Sequence, residues 1–178
     1  GPLSVSPPRS PNPLNDTFIQ AGVECQIPRN DDFNGATQEG IGFYELTQDN
    51  GRRCSTAHAY LTPAKNRENL TIFKRSIAEK VMIENGRAIA VRAKIDGRAQ
   101  IIRANKEVIL SCGAFQSPQL LLLSGIGPKS KLEEHKIDQV LELPGVGENL
   151  TDHLDYSLIY ESDSEYCLGR NARSVFRV

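Results

Sequence analysis

The sequence predicts a mixed α/β chain of the α+β kind, with an antiparallel meander beside a buried central strand and short helices. Three stretches predict it. The runs AEKVMIEN, RAIAVRAKI and RAQIIRA are joined by Asn85-Gly86 and Asp96-Gly97. Such dipeptides between alternating runs favour two-residue hairpin turns, because both central residues take positive φ, so a three-stranded meander is expected over about 78–105. KEVILSC, ending at Cys112, is nearly continuous and apolar, as a strand covered on both faces would be. GAFQSPQLLLLSGIGP, residues 113–128, then sets glycines, prolines and serines around four consecutive leucines, the punctuation of one short helix.

The remaining elements follow in chain order. Six of the ten prolines fall in the first thirty residues, which reads as an extended lead-in carrying one helix near Pro13–Ala21 with Asn12 as cap and proline in the first helical position. NDDFNGATQEG is turn material, and GIGFYELTQ reads as a strand ending at the Asp49-Asn50-Gly51 turn. Ser55 is placed to cap a short helix through Tyr60 and Leu61, ended by Pro63. LTIFKRS reads as a further strand before the meander, PKSKLEEHK as a short amphipathic helix, VLELPGVGENL as an irregular loop and HLDYSLIYES as a last strand.

Composition excludes several function classes. The 178 residues carry a formal net charge of -1 with 24% charged residues, and so show no basic footprint for nucleic acid or an acidic membrane surface. The partner expected is a small molecule or another piece of protein. Cysteines at 25, 54, 112 and 167 form no C-x-x-C pair and have no matching histidine spacing, which argues for reduced thiols over a zinc site or redox dithiol. The apolar stretch around Leu120–Leu123 is far short of the roughly 20 residues that span a bilayer. No transmembrane segment or signal peptide is expected, and the cytoplasm is the expected location. Sequons at Asn15, Asn69 and Asn149 matter only in a secreted protein and read as chance matches.

The leucine helix decides most of the functional reading. Gly113 and Ala114 let the backbone turn tightly off the strand. Ser117 is read as its cap with Pro118 at the first helical position, Gly125 as its stop, and Gly127-Pro128 as the bar to a restart. Four leucines in a row exceed what one face buries, so the helix is expected to be enclosed nearly all round. Small residues at a strand-to-helix junction serve either close packing of helix on sheet or a flat ligand lying against the backbone, in the crevice where open sheets bind ligands. The residues alone leave both readings open.

GAFQSPQLLLLSGIG resembles, position for position, the second signature of the glucose-methanol-choline (GMC) flavin oxidoreductases: glycine, a small residue, Ser-Pro, aliphatics, then Ser-Gly-aliphatic-Gly. The stretch DFNGATQEGIGFYELTQDNGRRCSTAHAYLTPAKNRENLTI is similar to the family's Asn-Gly, Gly-x-Gly, Gly-Arg-Arg-x-Ser, Ala-Tyr-Leu-x-Pro-Ala and Arg-x-Asn-Leu segment. LPGVGENLTDHLDY is similar to its Gly-Val-Gly-x-Asn-Leu-x-Asp-His block. The resemblance covers nearly the whole chain and is nearest in flavour to the alcohol and choline dehydrogenase branch.

What the family implies is an FAD cofactor, a small-molecule alcohol substrate and an electron acceptor. Ala78, eight positions after Leu70, matches the family position whose backbone faces the adenine of FAD. Cys112 and Gly113, at the end of the strand before the signature helix, would lie next to the cofactor. Asp152 and His153 read more readily as a loop anchor, with a cofactor-side role as the alternative. By the same resemblance, residues 67–150 would form the adenine-side part of an FAD-binding domain, while 1–66 and 151–178 would be pieces of an antiparallel-sheet substrate domain.

Two family features are not matched. Gly40-Ile-Gly42, Gly125-Ile-Gly127 and Gly145-Val-Gly147 have Glu45, Ser130 and Leu150 where a G-x-G-x-x-G fingerprint requires its third glycine. The catalytic histidine, with its second His or Asn, belongs near the C-terminal end of a much longer chain. No catalytic residue is therefore assigned, and the expectation is a central portion of a GMC enzyme that alone neither holds FAD tightly nor turns over an alcohol. His58 and His135 read as surface or packing residues, and Arg52 and Arg53 as anchors for the following helix more readily than as phosphate ligands. The competing class is a non-catalytic binding or assembly module derived from such an enzyme. Uncovered strand edges and apolar faces add the expectation of self-association.

Overall fold

The computed structural model describes residues 1–161 and 164–167. The chain divides into two compact units, residues 1–70 together with 157–178, and residues 71–156.

In the first unit, α1 (Pro13–Glu24) starts as its sequence dictates. The Asn12 side chain accepts a hydrogen bond from the Leu14 N–H at 3.0 Å, and proline occupies the first turn. The helix runs three residues past the predicted end at Ala21 and buries Ile19.

The strand expected over GIGFYELTQ is mostly not a strand. Only β1 (Gln48–Asp49) pairs, with β2 (Arg52–Arg53), around Asn50-Gly51. Upstream the segment is held by single bridges, Ile41 to Arg29 and Leu46 to Ser6, so its alternating pattern meets no continuous ladder. Ser55 lies one position ahead of the N-cap, which is Thr56, though its hydroxyl accepts the His58 N–H at 3.2 Å at the start of a wide π turn over Ala57–Leu61. Pro63 does not end that turn but lies in the first turn of α2 (Thr62–Ala64), where a missing N–H costs nothing. Cys54 is buried and its Sγ accepts the Ser4 N–H at 3.4 Å.

The second unit is organised by a meander, β3 (Ser76–Glu84), β4 (Arg87–Ile95) and β5 (Arg98–Arg103), in that spatial order and antiparallel throughout. Both hairpin turns are of the predicted kind. Asn85 and Gly86 have φ of 50° and 76°, Asp96 and Gly97 of 48° and 81°, the doubly positive combination that matches strand twist. The ladder between β3 and β4 is regular except for two shifts. One lies between Ala78 and Lys80, leaving Glu79 as an extra residue on β3, and the other between Met82 and Ile83. Residues 70–75, read as strand, are outside the ladder.

After the meander the chain forms α3 (Gly113–Leu123), β6 (Ile126–Gly127), α4 (Lys129–Glu134) and β7 (Leu141–Glu142), with β6 and β7 pairing in parallel. Leu132 of α4 is among the most buried side chains, and a Lys131–Glu148 ion pair ties the helix to the following loop.

Three expectations over residues 107–161 are corrected. The run Glu107–Cys112 is not a buried central strand: it has no ladder partner among the described residues, and Ile109 is 76% exposed. A continuous apolar run needs neighbours on both edges and cover on both faces, and residues 71–156 supply neither here. The leucine helix is not enclosed all round, since Leu120 is buried but Leu123 is 44% exposed and Phe115 74% exposed. HLDYSLIYES forms no strand over 153–161, where the chain is exposed, and its last residue lies outside the described residues.

Candidate functional site

The N-terminal end of α3 differs from the predicted geometry. The helix begins at Gly113, four residues before Ser117, so Pro118 lies inside it. Ser117 is not the cap; its hydroxyl reaches back and accepts the Cys112 N–H at 3.0 Å. The serine thus supplies an acceptor to the amide just ahead of the helix, one of the groups that the first turn leaves unsatisfied. Gly113 holds φ of +88°, and a side chain built there would meet nothing within 4 Å, so the chain enters α3 with an open approach to its backbone.

The other end of α3 carries a clasp. Ser124 has 0% exposure, and its hydroxyl donates to the Leu120 carbonyl at 2.6 Å while accepting the Val81 N–H at 2.8 Å. A single buried hydroxyl satisfies the strand and terminates the helix, which fixes α3 against β3. Gly125 follows with φ of +84°, and a Cβ there would strike the Asp138 carbonyl oxygen. Its own carbonyl accepts from the Val140 and Leu141 amides. The Ser-Gly-Ile-Gly half of the motif is therefore a packing device, whereas the Gly-Ala half is open.

Between β3 and α3 runs a groove of about 760 Å³, lined among others by Ala78, Glu79, Arg92, Cys112, Gln116 and Leu120. Two residues predicted separately, Ala78 and Cys112, share it. The volume lies within the range of small-molecule sites, and the mixture of apolar wall and a few polar groups is typical of them. Among the described residues β3 pairs with β4 on one side only, and on its other edge the Val81 N–H bonds Ser124 at the end of α3.

The bulge lies at the same place. With Glu79 inserted between the Ala78–Ala93 and Lys80–Arg92 pairs, the Glu79 carboxylate comes within 3.4 Å of the Arg92 Nε. Bulges bend a strand and re-aim side chains beside functional sites. Neither Glu79 nor Arg92 was singled out from the sequence, because only the strand register reveals that they meet. Ser124 stood within the quoted motif, but its partner, Val81, lies 43 positions away.

The remaining predicted residues are dispersed. Gly113 adjoins Cys112 at the start of α3. Asp152 and His153 are exposed, not among the residues lining this groove, and the carboxylate of Asp152 accepts the His153 N–H at 2.8 Å. The loop just before them, Gly147–Thr151, lines a second groove of about 450 Å³ on Phe115, Pro118 and Leu122 of α3. In the other unit, His58 is 3.9 Å from an Asp49 carboxylate and Arg52 is paired in β2. No cluster of three or more His, Cys, Asp or Glu suited to a metal ion occurs among the described residues. No helix among them is long and apolar enough to cross a membrane.

Comparison with known proteins agrees with the motifs. The GMC oxidoreductase family model matches residues 1–155. The chain is 47% identical over 156 residues to the oxygen-dependent choline dehydrogenase of Rhizobium meliloti (strain 1021), covering 88% of this chain and 28% of that protein. It is 45% identical over 171 residues to an alcohol dehydrogenase [acceptor] of Pseudomonas putida, covering 95% and 31%. Among solved structures, pyridoxine 4-oxidase from Mesorbium loti superposes with a TM-score of 0.74 at 31% identity, over 81% of this chain and 28% of that one. An FAD-dependent oxidoreductase from Chaetomium thermophilum gives 0.79 at 27% identity, over 85% and 27%. The chain thus spans under a third of the length of these relatives. With its signature helix clasped to the meander by Ser124, and with the family model matching residues 1–155, the chain belongs to the GMC oxidoreductases.

Proposed function

We propose that the β3–α3 groove is the adenine-side wall of an FAD site, in an enzyme that oxidises a primary alcohol, choline-like or aliphatic or aromatic, to the aldehyde. The observation that carries this reading is the convergence of Ala78 and Cys112 on one groove, two positions that the motif resemblance puts at the cofactor. The residues present fit the adenine end of the dinucleotide: an apolar wall from Ala78 and Leu120, polar side chains at Gln116 and Gln119, and an approach to the backbone at Gly113 unobstructed by any side chain. FAD supplies hydride acceptance when bound. This chain's own residues bind and orient. Asp152 and His153 keep a proposed cofactor-side role, reached from the Gly147–Thr151 loop. Residues 67–150 are assigned to the FAD-binding domain, with 1–66 and 151–178 assigned to the substrate domain.

The experiment is flavin retention. The 178-residue chain incubated with FAD and passed through gel filtration should release the flavin, whereas the whole enzyme should elute yellow and bleach anaerobically with a primary alcohol. A whole enzyme that binds no flavin overturns the reading, and flavin absorbance that stays with the short chain overturns the expectation that this portion alone does not hold FAD tightly.

A further inference from the structure

We infer that Arg92 is a binding residue for the purine ring at this groove, held in place by Glu79; the inference rests on the adenine-side reading above. Three observations carry it. First, Arg92 lines the groove that Ala78 and Cys112 share, although no motif marks it. Second, the strand is interrupted there: the single extra residue on β3 is Glu79, and it is the residue whose carboxylate meets the Arg92 Nε, at 3.4 Å. Third, the contact engages one edge of the guanidinium, and the Arg92 side chain remains 52% exposed. A planar, delocalised cation anchored at one edge keeps its face available, and guanidinium faces stack on flat aromatic systems.

The ligand class that suits such a group is a purine nucleoside or nucleotide. Its ring would lie against the Arg92 plane with the apolar wall of Ala78 and Leu120 beside it. The backbone edge of β3 reads hydrogen-bonding atoms at the ring's rim, and the arginine contributes attraction to its face. Glu79 is a positioning residue in this account: it touches the guanidinium, not the ring. A bulge at this point is how β3 presents a carboxylate beside Arg92 without disturbing the Ala78–Ala93 pair next to it.

The test is titration of the 178-residue chain with adenosine and with 5′-AMP, followed by amide chemical shifts, for the wild type, Arg92→Ala and Arg92→Lys. Both probes should bind the wild type and perturb the amides of residues 76–79 and 112. Arg92→Ala should weaken both probes alike, by on the order of fivefold, with the Val81 amide unshifted as the sign that the Ser124 clasp and fold persist. Arg92→Lys keeps the charge but loses the plane, and should recover less than half of the loss. Unchanged affinity for both probes in Arg92→Ala overturns the inference and leaves the groove standing. A loss for 5′-AMP alone assigns the arginine to phosphate and overturns stacking. A folded wild type that binds neither probe overturns the adenine-side reading itself.

Discussion

The two ends of the signature helix show how differently single residues act. Ser124 is wholly buried with both hydrogen-bonding roles filled. Its replacement by alanine strands the Val81 N–H in the interior, which costs about 1–3 kcal/mol. Urea denaturation followed by a probe in residues 71–156 should register that loss, and an unchanged midpoint would contradict the clasp. Gly125→Ala should be at least as damaging, because it combines a positive φ with a collision against the Asp138 carbonyl. Gly113 has an equally positive φ but open surroundings, so alanine there should cost only the backbone term, about 1 kcal/mol. Comparing the two glycine variants by thermal melts separates conformation from crowding.

Among the elements, legibility in the sequence tracked how local the determining forces are. The hairpins were readable because Asn85-Gly86 and Asp96-Gly97 set their own backbone. The start of α1 was readable because Asn12 caps it directly; Asn12→Ala should cost about 1 kcal/mol, read as faster amide exchange in the first turn of that helix. Ser117-Pro118 misled for an equally physical reason: a serine followed by proline marks a helix start, but here the helix already exists and the serine hydroxyl turns back to Cys112. Glu107–Cys112 was legible as apolar, not as unpaired among the described residues, since pairing is decided by whatever lies alongside. The pairing of Glu79 with Arg92 was hidden in the sequence, because it depends on a one-residue shift in register. For the groove, motif resemblance supplied Ala78 and Cys112, and topology supplied the rest.

At the scale of the whole molecule, the described residues leave apolar surface that a soluble chain normally covers. Ile109 is 76% exposed on a run with no ladder partner among the described residues, and Phe115 and Leu150, which line one groove, are exposed in the same unit. Exposed apolar side chains and unpaired backbone invite association, and self-association of the 178-residue chain is the expected outcome. Light scattering should show mass rising with concentration, and Ile109→Lys should reduce it. A monodisperse monomer at high concentration would count against the idea.

The extra residue at Glu79 makes one more demand on β3. The Ala78–Ala93 and Lys80–Arg92 pairs flank it on either side, so a chain lacking that residue would keep every pair and run in regular register from Ser76 to Met82, with only the shift between Met82 and Ile83 remaining. Such a deletion should yield a straighter strand, no less stable than the native one, that has lost the acidic tether on Arg92 and the bend beside the groove. Resistance to unfolding and affinity for adenosine would then part company, the first holding or rising as the second falls.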